Sequence, residues 1–231
     1  MKLLGVARIS DKNRITLSKE VRNKLKAGSG DLLLFFEDDS GNVLICTENT
    51  LPSGKSDVEV LKLLVTGPYN AGKSTIVSNL SRKATSIDAL QTTVGFDFGR
   101  KYDEINVFDL HIFGTPGHTR FAFMQEILAK GSAGVLLVVD STNPETFSLA
   151  RDILYRVKRE ISENVPVVIL ANKQDLEGAM KPEDVAKQLS IGMDIPVVGT
   201  VATQNQGLRE ALQLILKQIS KMRGKERPNI S

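Results

Sequence analysis

Gly67-Pro-Tyr-Asn-Ala-Gly-Lys-Ser74 is the stretch on which the reading of this chain turns. It fits the pattern G-x-x-x-x-G-K-[ST]. An apolar run, Val60-Leu-Lys-Leu-Leu-Val-Thr66, precedes it, and a segment with helical patterning, Lys73–Ser81, follows. That strand–loop–helix setting is what the pattern needs, because glycines let successive backbone N–H groups close around phosphate oxygens at a helix N-terminus. Gly67, Tyr69, Asn70, Ala71 and Gly72 form the loop, and Thr75 follows in the first helical turn. Lys73 brings charge to the β- and γ-phosphates, and the Ser74 hydroxyl reaches toward Mg²⁺.

Outward from the loop, short apolar runs alternate with amphipathic segments. Strands are expected at 60–66, 105–113, 134–140, 165–171 and 195–199, and helices at 73–81, 121–130, 144–161, 182–189 and 208–221. Strands that are apolar throughout, with helices between them, indicate an α/β fold with a parallel sheet covered on both faces. At the carboxyl end of one such strand stands Asn172-Lys-Gln-Asp175, where ligands bind in these sheets. A carboxylate at Asp175 can accept from both N1–H and the 2-amino group of guanine, a donor pair that adenine lacks. Lys173 can lay its stem across the base, and Asn172 can brace the loop. After the last strand, Thr200-Val-Ala-Thr203 can offer the Ala202 amide to guanine O6, with Thr203 beside it.

With these motifs in order, residues from about 57 to 222 resemble a small Ras-like GTPase, most of all the prokaryotic MglA-like branch. The resemblance implies a P-loop fold and a Mg²⁺-dependent switch that binds GTP or GDP and hydrolyses GTP slowly. By resemblance, Thr93 of "TTVGFDF" is the first-switch threonine and joins Ser74 on the metal. Gly117 is the second-switch glycine, and Lys73, Thr93, Gly117 and His118 surround the γ-phosphate. An activating protein and an effector are the implied partners.

The second switch, Val107-Phe-Asp-Leu-His-Ile-Phe-Gly-Thr-Pro-Gly-His-Thr-Arg120, departs from the family pattern. Gly114 stands where such turns usually open with an aspartate. Asp109 lies five residues earlier, and odd spacing in a strand turns it to the other face. Asp97, four residues after Thr93, where the first-switch segment becomes a strand alongside the same site, is better placed to act on Mg²⁺. His118 occupies the place of the usual water-orienting glutamine, as in translational GTPases. His111, within the strand, reads as structural. Tyr69 puts a bulky ring near the γ-phosphate, able to obstruct an arginine finger or to shape the site for another partner.

Residues 1–49 read as a separate, mostly-β unit, joined by a linker at 50–57 to the GTPase-like domain at 58–222, with a basic tail at 223–231. Strands at Leu4–Ile9 and Arg14–Leu17, a helix from Ser18 to Lys26 stopped by Gly28 to Gly30, and a hairpin of Asp31–Glu37 with Val43–Cys46 are expected. Arg-Ile-Thr-Leu, Lys-Glu-Val-Arg and Gly-Asp, in that order, resemble the AbrB/SpoVT/MazE family of swapped-hairpin domains. About 45 residues in short strands bury too little apolar surface to fold alone, so a homodimer is expected. The family implication of DNA binding falls on Arg8, Lys12, Arg14 and Arg22. Seven basic residues against two acidic ones lie between Arg8 and Lys26.

Bulk properties set limits. With 41% hydrophobic and 25% charged residues and a net charge of +3, the 231-residue chain is ordinary for a globular protein. No apolar run approaches a membrane span, and one cysteine, Cys46, excludes an intrachain disulfide and reads as a buried thiol. A cytoplasmic location follows. Two further readings stand beside the hydrolysing switch: an AbrB-like DNA-binding regulator whose GTPase domain senses nucleotide, and a scaffold that binds GTP without turnover.

Overall fold

The computed structural model describes residues 15–29, 31, 33–37, 43–47, 59–81, 83–87, 96–103, 108–191 and 194–226. The chain divides into two units, Met1–Gly54 and Lys55–Ser231. Leu4–Ile9, Arg8, Lys12, Arg14, the linker, Thr93 and the residues after 226 lie outside the described residues, as does the side chain of Cys46.

In the first unit Ser18 is the N-cap of α1 (Lys19–Leu25), its Oγ accepting from the Val21 amide at 3.3 Å. Glu20 in the first turn and Arg22 and Lys24 in the last complement the helix dipole. The helix stops earlier than its glycines suggested, because Lys26 itself takes the left-handed conformation (φ 50°). Ile15–Leu17, expected as strand, have no regular secondary structure. The hairpin forms as read: β1 (Leu33–Glu37) and β2 (Val43–Thr47) pair antiparallel with Phe35 opposite Ile45. The Thr47 hydroxyl donates to the Leu25 carbonyl at 3.2 Å, tying hairpin to helix.

The second unit runs β3 (Glu59–Thr66), α2 (Lys73–Leu80), β4 (Lys83–Ile87), β5 (Phe96–Asp103), β6 (Phe108–Gly114), α3 (Ala122–Ala129), β7 (Gly134–Asp140), α4 (Phe147–Glu160), β8 (Val167–Asn172), α5 (Pro182–Leu189), β9 (Val197–Thr200) and α6 (Leu208–Glu226). Its sheet has the order β4-β5-β6-β3-β7-β8-β9. The five strands from β6 to β9 are mutually parallel, as the apolar runs indicated. β5 pairs antiparallel with β6, and β4 antiparallel with β5. Neither of these two strands was expected as an apolar run, and the reason is physical. Phe-Asp-Phe-Gly-Arg-Lys-Tyr-Asp and Lys-Ala-Thr-Ser-Ile lie at the sheet's flank and lack the all-apolar signature of strands covered on both faces.

Alternation along the strands sorts the core. Leu61, Leu63 and Val65 of β3 join Leu110 and Ile112 of β6 in one buried cluster with Val77 of α2 and Ile215 and Ile219 of α6. Lys62 faces the opposite way. Its Nζ donates to the Lys130 carbonyl after α3 at 2.7 Å and lies over the Phe113 ring. Because β3, β6, β7, β8 and β9 are parallel, Thr66, Gly114, Asp140, Asn172 and Thr200 all come to one edge of the sheet. No helix among the described residues is long and apolar enough to cross a membrane.

Candidate functional site

The loop after β3 winds back over the start of α2. Asn70 (φ 61°) and Gly72 (φ 99°) both take left-handed backbone. At Gly72 a side chain is excluded twice over: by φ, and because a Cβ there would stand 2.3 Å from Asn172 Nδ2. Tyr69 and Ser74 are exposed, Thr75 is partly buried, and Ala71 and Lys73 are buried. Lys73 Nζ turns into its own loop and donates to the Pro68 carbonyl at 2.6 Å. Burial lowers its pKa to about 8, with the Asp97 carboxylate working in the opposite direction. A cation so poorly hydrated, on a loop of backbone amides at a helix start, fits an anionic group such as a phosphate.

The other half of the edge is held by Asn172 and Asp140. Asn172 Nδ2 donates to the Ala71 carbonyl at 2.9 Å, so the loop after β8 grips the loop after β3. Its Oδ1 accepts from Thr200 Oγ1 at 3.1 Å and from the Ala202 amide at 3.0 Å. The Ala202 amide, assigned from sequence to a base oxygen, is therefore engaged within the protein. Asn79 of α2 donates to the Ala202 carbonyl at 2.6 Å. Lys173 (φ 68°) is fixed by an ion pair to Asp140 at 2.6 Å, and Asp140 also accepts from the Thr142 amide and hydroxyl. Burial works against ionising Asp140, but these bonds outweigh it and hold its pKa below the ordinary carboxylate value. Asp175 is exposed at the loop's end.

On the β5–β6 side, Asp97 pairs in register with Gly114. A Cβ built at Gly114 would lie 3.0 Å from Asp97 Cβ, 3.1 Å from its Oδ2 and 3.0 Å from Val77 Cγ2. Asp97 thus crowds the space that a side chain at 114 would need. Asp109 turns to the other face, as the odd spacing required, and takes a bidentate bond from Arg100, with Nε at 2.8 Å from Oδ1. His111 is buried beside it, edge-on to Phe98. Its Nε2 lies 3.5 Å from Asp109 Oδ2, and burial lowers the pKa of this imidazole against the pull of that carboxylate.

The second turn lies directly on the phosphate loop. Thr115 anchors it: its amide donates to the Val65 carbonyl at 2.9 Å and its hydroxyl meets that of Thr66 at 2.9 Å. Gln125 of α3, fully buried, donates to the Pro116 carbonyl at 3.0 Å. A Cβ at Gly117 would fall 2.6 Å from Lys73 Nζ and 2.6 Å from the Tyr69 amide nitrogen. One residue on, the rings of His118 and Tyr69 stack, 4.1 Å between centroids and 26° between planes.

A family model, the Ras family, matches residues 62–221 and so takes in this whole edge. The chain belongs to the Ras family of small GTPases. Similar proteins include ADP-ribosylation factor-like protein 6 of Caenorhabditis elegans, 31% identical over 175 residues, covering 73% of this chain and 90% of that protein. Ras-related protein Rab-1A of Dictyostelium discoideum is 30% identical over 164 residues, with 69% and 80% coverage. Ras-related protein SEC4 of Saccharomyces cerevisiae is 25% identical over 169 residues, with 72% and 78% coverage. The GTPase is accordingly a GTP-binding switch and a GTP hydrolase.

Of the residues read from the sequence, the GTPase brings Gly67, Gly72, Lys73, Ser74, Asp97, Gly117, His118, Asn172 and Lys173 to one edge of the sheet. Three residues that shape that edge were not found. Asp140, Asn79 and Gln125 act through tertiary partners, Lys173, Ala202 and Pro116. Asp140 alone carried a signal, as the acid that ends an apolar strand.

Proposed function

We propose that the GTPase domain is a Mg²⁺-dependent switch of the MglA-like branch that converts GTP and water slowly to GDP, phosphate and a proton, with Asp97 taking over from the absent second-turn aspartate. The observation that carries this is the packing of Asp97 over Gly114. With its carboxylate beside that space, an aspartate at 114 is redundant in charge and crowded against Asp97. The phosphate loop receives the phosphates on its amides and Lys73. Ser74, Thr93 and, through water, Asp97 would hold Mg²⁺, which would neutralise charge on the phosphates. His118 orients the attacking water. Asp175 selects guanine and Lys173 covers it. An activating protein and an effector read the switch in the cytoplasm.

The test is single-turnover hydrolysis of GTP at varied Mg²⁺, with ATP as control. Asp97→Ala should weaken the apparent Mg²⁺ affinity about 10- to 100-fold, the usual effect of losing an outer-shell ligand. Adding Gly114→Asp to Asp97→Ala should recover part of it. Unchanged Mg²⁺ dependence in Asp97→Ala would end the proposal.

The first unit supports a homodimer of AbrB-like type. Phe35, Ile45 and Val43 alternate onto one face of the hairpin and are exposed at 53%, 44% and 66%. Such a patch on so small a unit calls for cover. A second copy of the hairpin supplies it. Sedimentation of the full chain should give a dimer that Phe35→Asp converts to monomer, and a monomeric wild type at about 50 μM would reject the assignment.

A further inference from the structure

Tyr69 and His118 form the one stacked ring pair among the described residues that joins the phosphate loop to the second turn. Tyr69 is 64% exposed, and His118 is exposed as well, so neither ring is held by burial. Among the described residues, each ring stacks on the other. Stacking of this kind between amphipathic rings is a modest attraction. It is strong enough to set a population and weak enough to be undone by one new contact.

The backbone around the pair has the same character. Gly117 lies so close to the loop that a Cβ would meet Lys73 Nζ and the Tyr69 amide together at 2.6 Å. Lys73 meanwhile donates to the Pro68 carbonyl of its own loop. A γ-phosphate on those amides and that ammonium needs the room in which Gly117 now sits. Gly117 must move outward when it binds, and His118 is the next residue. For as long as the rings stay stacked, the imidazole is tied to the loop and cannot turn to a water in line with the γ-phosphate.

We infer that Tyr69 is a positioning residue that sets the rate of GTP hydrolysis by parking His118 on the phosphate loop. Release of that stack precedes the chemical step. This rests on the reading of His118 as the residue that orients water. It gives the bulky side chain at position 69 a role inside the GTPase itself, in addition to any effect on a partner. Loss of the ring frees His118 and accelerates the reaction.

The chain has two histidines and no tryptophan, which makes the pair observable. In the GDP complex of the full chain, the His118 ring protons should show an upfield ring-current shift in NMR spectra, with His111 as internal reference. That shift should persist in Tyr69→Phe and vanish in Tyr69→Ala. Single-turnover hydrolysis at saturating GTP should rise about three- to tenfold in Tyr69→Ala, the range that a stacked pair's energy converts to in rate. It should stay near the wild-type rate in Tyr69→Phe. Tyr69→Ala/His118→Ala should be no faster than His118→Ala. If Tyr69→Ala is no faster than wild type while His118→Ala is slower, His118 keeps its role and the inference about Tyr69 is wrong. If His118→Ala matches wild type in both backgrounds, the reading of His118 fails first.

Discussion

Two halves of one sheet edge are built on opposite plans. On the base side, the loops after β8 and β9 satisfy one another through Asn172, Thr200, Ala202 and Asp140, and these bonds can all persist when a nucleotide is present. On the phosphate side, Lys73 donates to its own loop, Gly117 lies hard against that loop and the Tyr69 and His118 rings stack, contacts that on the proposed reading a γ-phosphate must replace. The first half is preorganised, and binding there loses little by reorganisation. The second must exchange internal contacts for ligand contacts, which makes it a place where two states can differ by little and be switched.

The sharpest attack on that contrast is Asn172→Ala. It orphans the Ala71 carbonyl, the Thr200 hydroxyl and the Ala202 amide in a buried setting, and should lower stability by about 2–4 kcal/mol. GDP affinity should fall about 100-fold or more. A thermal melt and a fluorescent-GDP titration read both. A variant that keeps wild-type affinity would mean that the base side is not preorganised by this residue.

A smaller effect distinguishes the phosphate side. Burial lowers the Lys73 pKa to about 8, so in the free protein the amine is half deprotonated near that pH. Phosphate favours the charged form, so binding GDP at pH 8 should take up about half a proton. Calorimetry in buffers of different ionisation enthalpy measures this, and affinity should fall up to about tenfold per pH unit above 8. The sign for folding follows from the same shift. Above pH 8 the unfolded chain holds more protons at this lysine than the folded one, so the group's contribution to stability rises with pH until the ordinary lysine value is passed. Zero proton uptake would show that Lys73 does not meet the phosphate.

The mildest test is Asp140→Asn. Lys173 keeps a hydrogen-bond acceptor but loses a largely buried ion pair, so GDP affinity should drop about tenfold or less. Because Asp140 titrates below the ordinary carboxylate range, its contribution is intact at neutral pH and is lost only as pH falls through that lowered value. A larger loss would assign Asp140 a direct part in binding.

The contrast also explains which parts of the molecule were legible in the sequence. Gly67–Ser74 and Asn172–Asp175 are local spacings at strand ends, and their chemistry can be read without partners. The five parallel strands are legible for the same reason, since each carries its apolar run within itself. β4 is not, and β5 is legible only as the strand expected at Asp97, because at the sheet flank a strand with charges at Arg100, Lys101 and Asp103 lacks an apolar run. The crowding at Gly114 needed the register of β5 against β6, which no spacing encodes. The Tyr69–His118 stack joins residues 49 positions apart, and each alone looked like a rate-modifying oddity. Asn79 and Gln125 are ordinary polar residues until their partners arrive, and Asp140 shows only as the acid that ends an apolar strand.

The hydrogen bond from Asn172 to the Ala71 carbonyl has a consequence of another kind. It makes the two ends of the nucleotide thermodynamically linked, because whatever tightens the loop after β8 also orders the loop that receives phosphate. Fragments of the ligand should then help one another. Guanosine and pyrophosphate, each a weak binder alone, should bind together with positive cooperativity, and that cooperativity should disappear in Asn172→Ala.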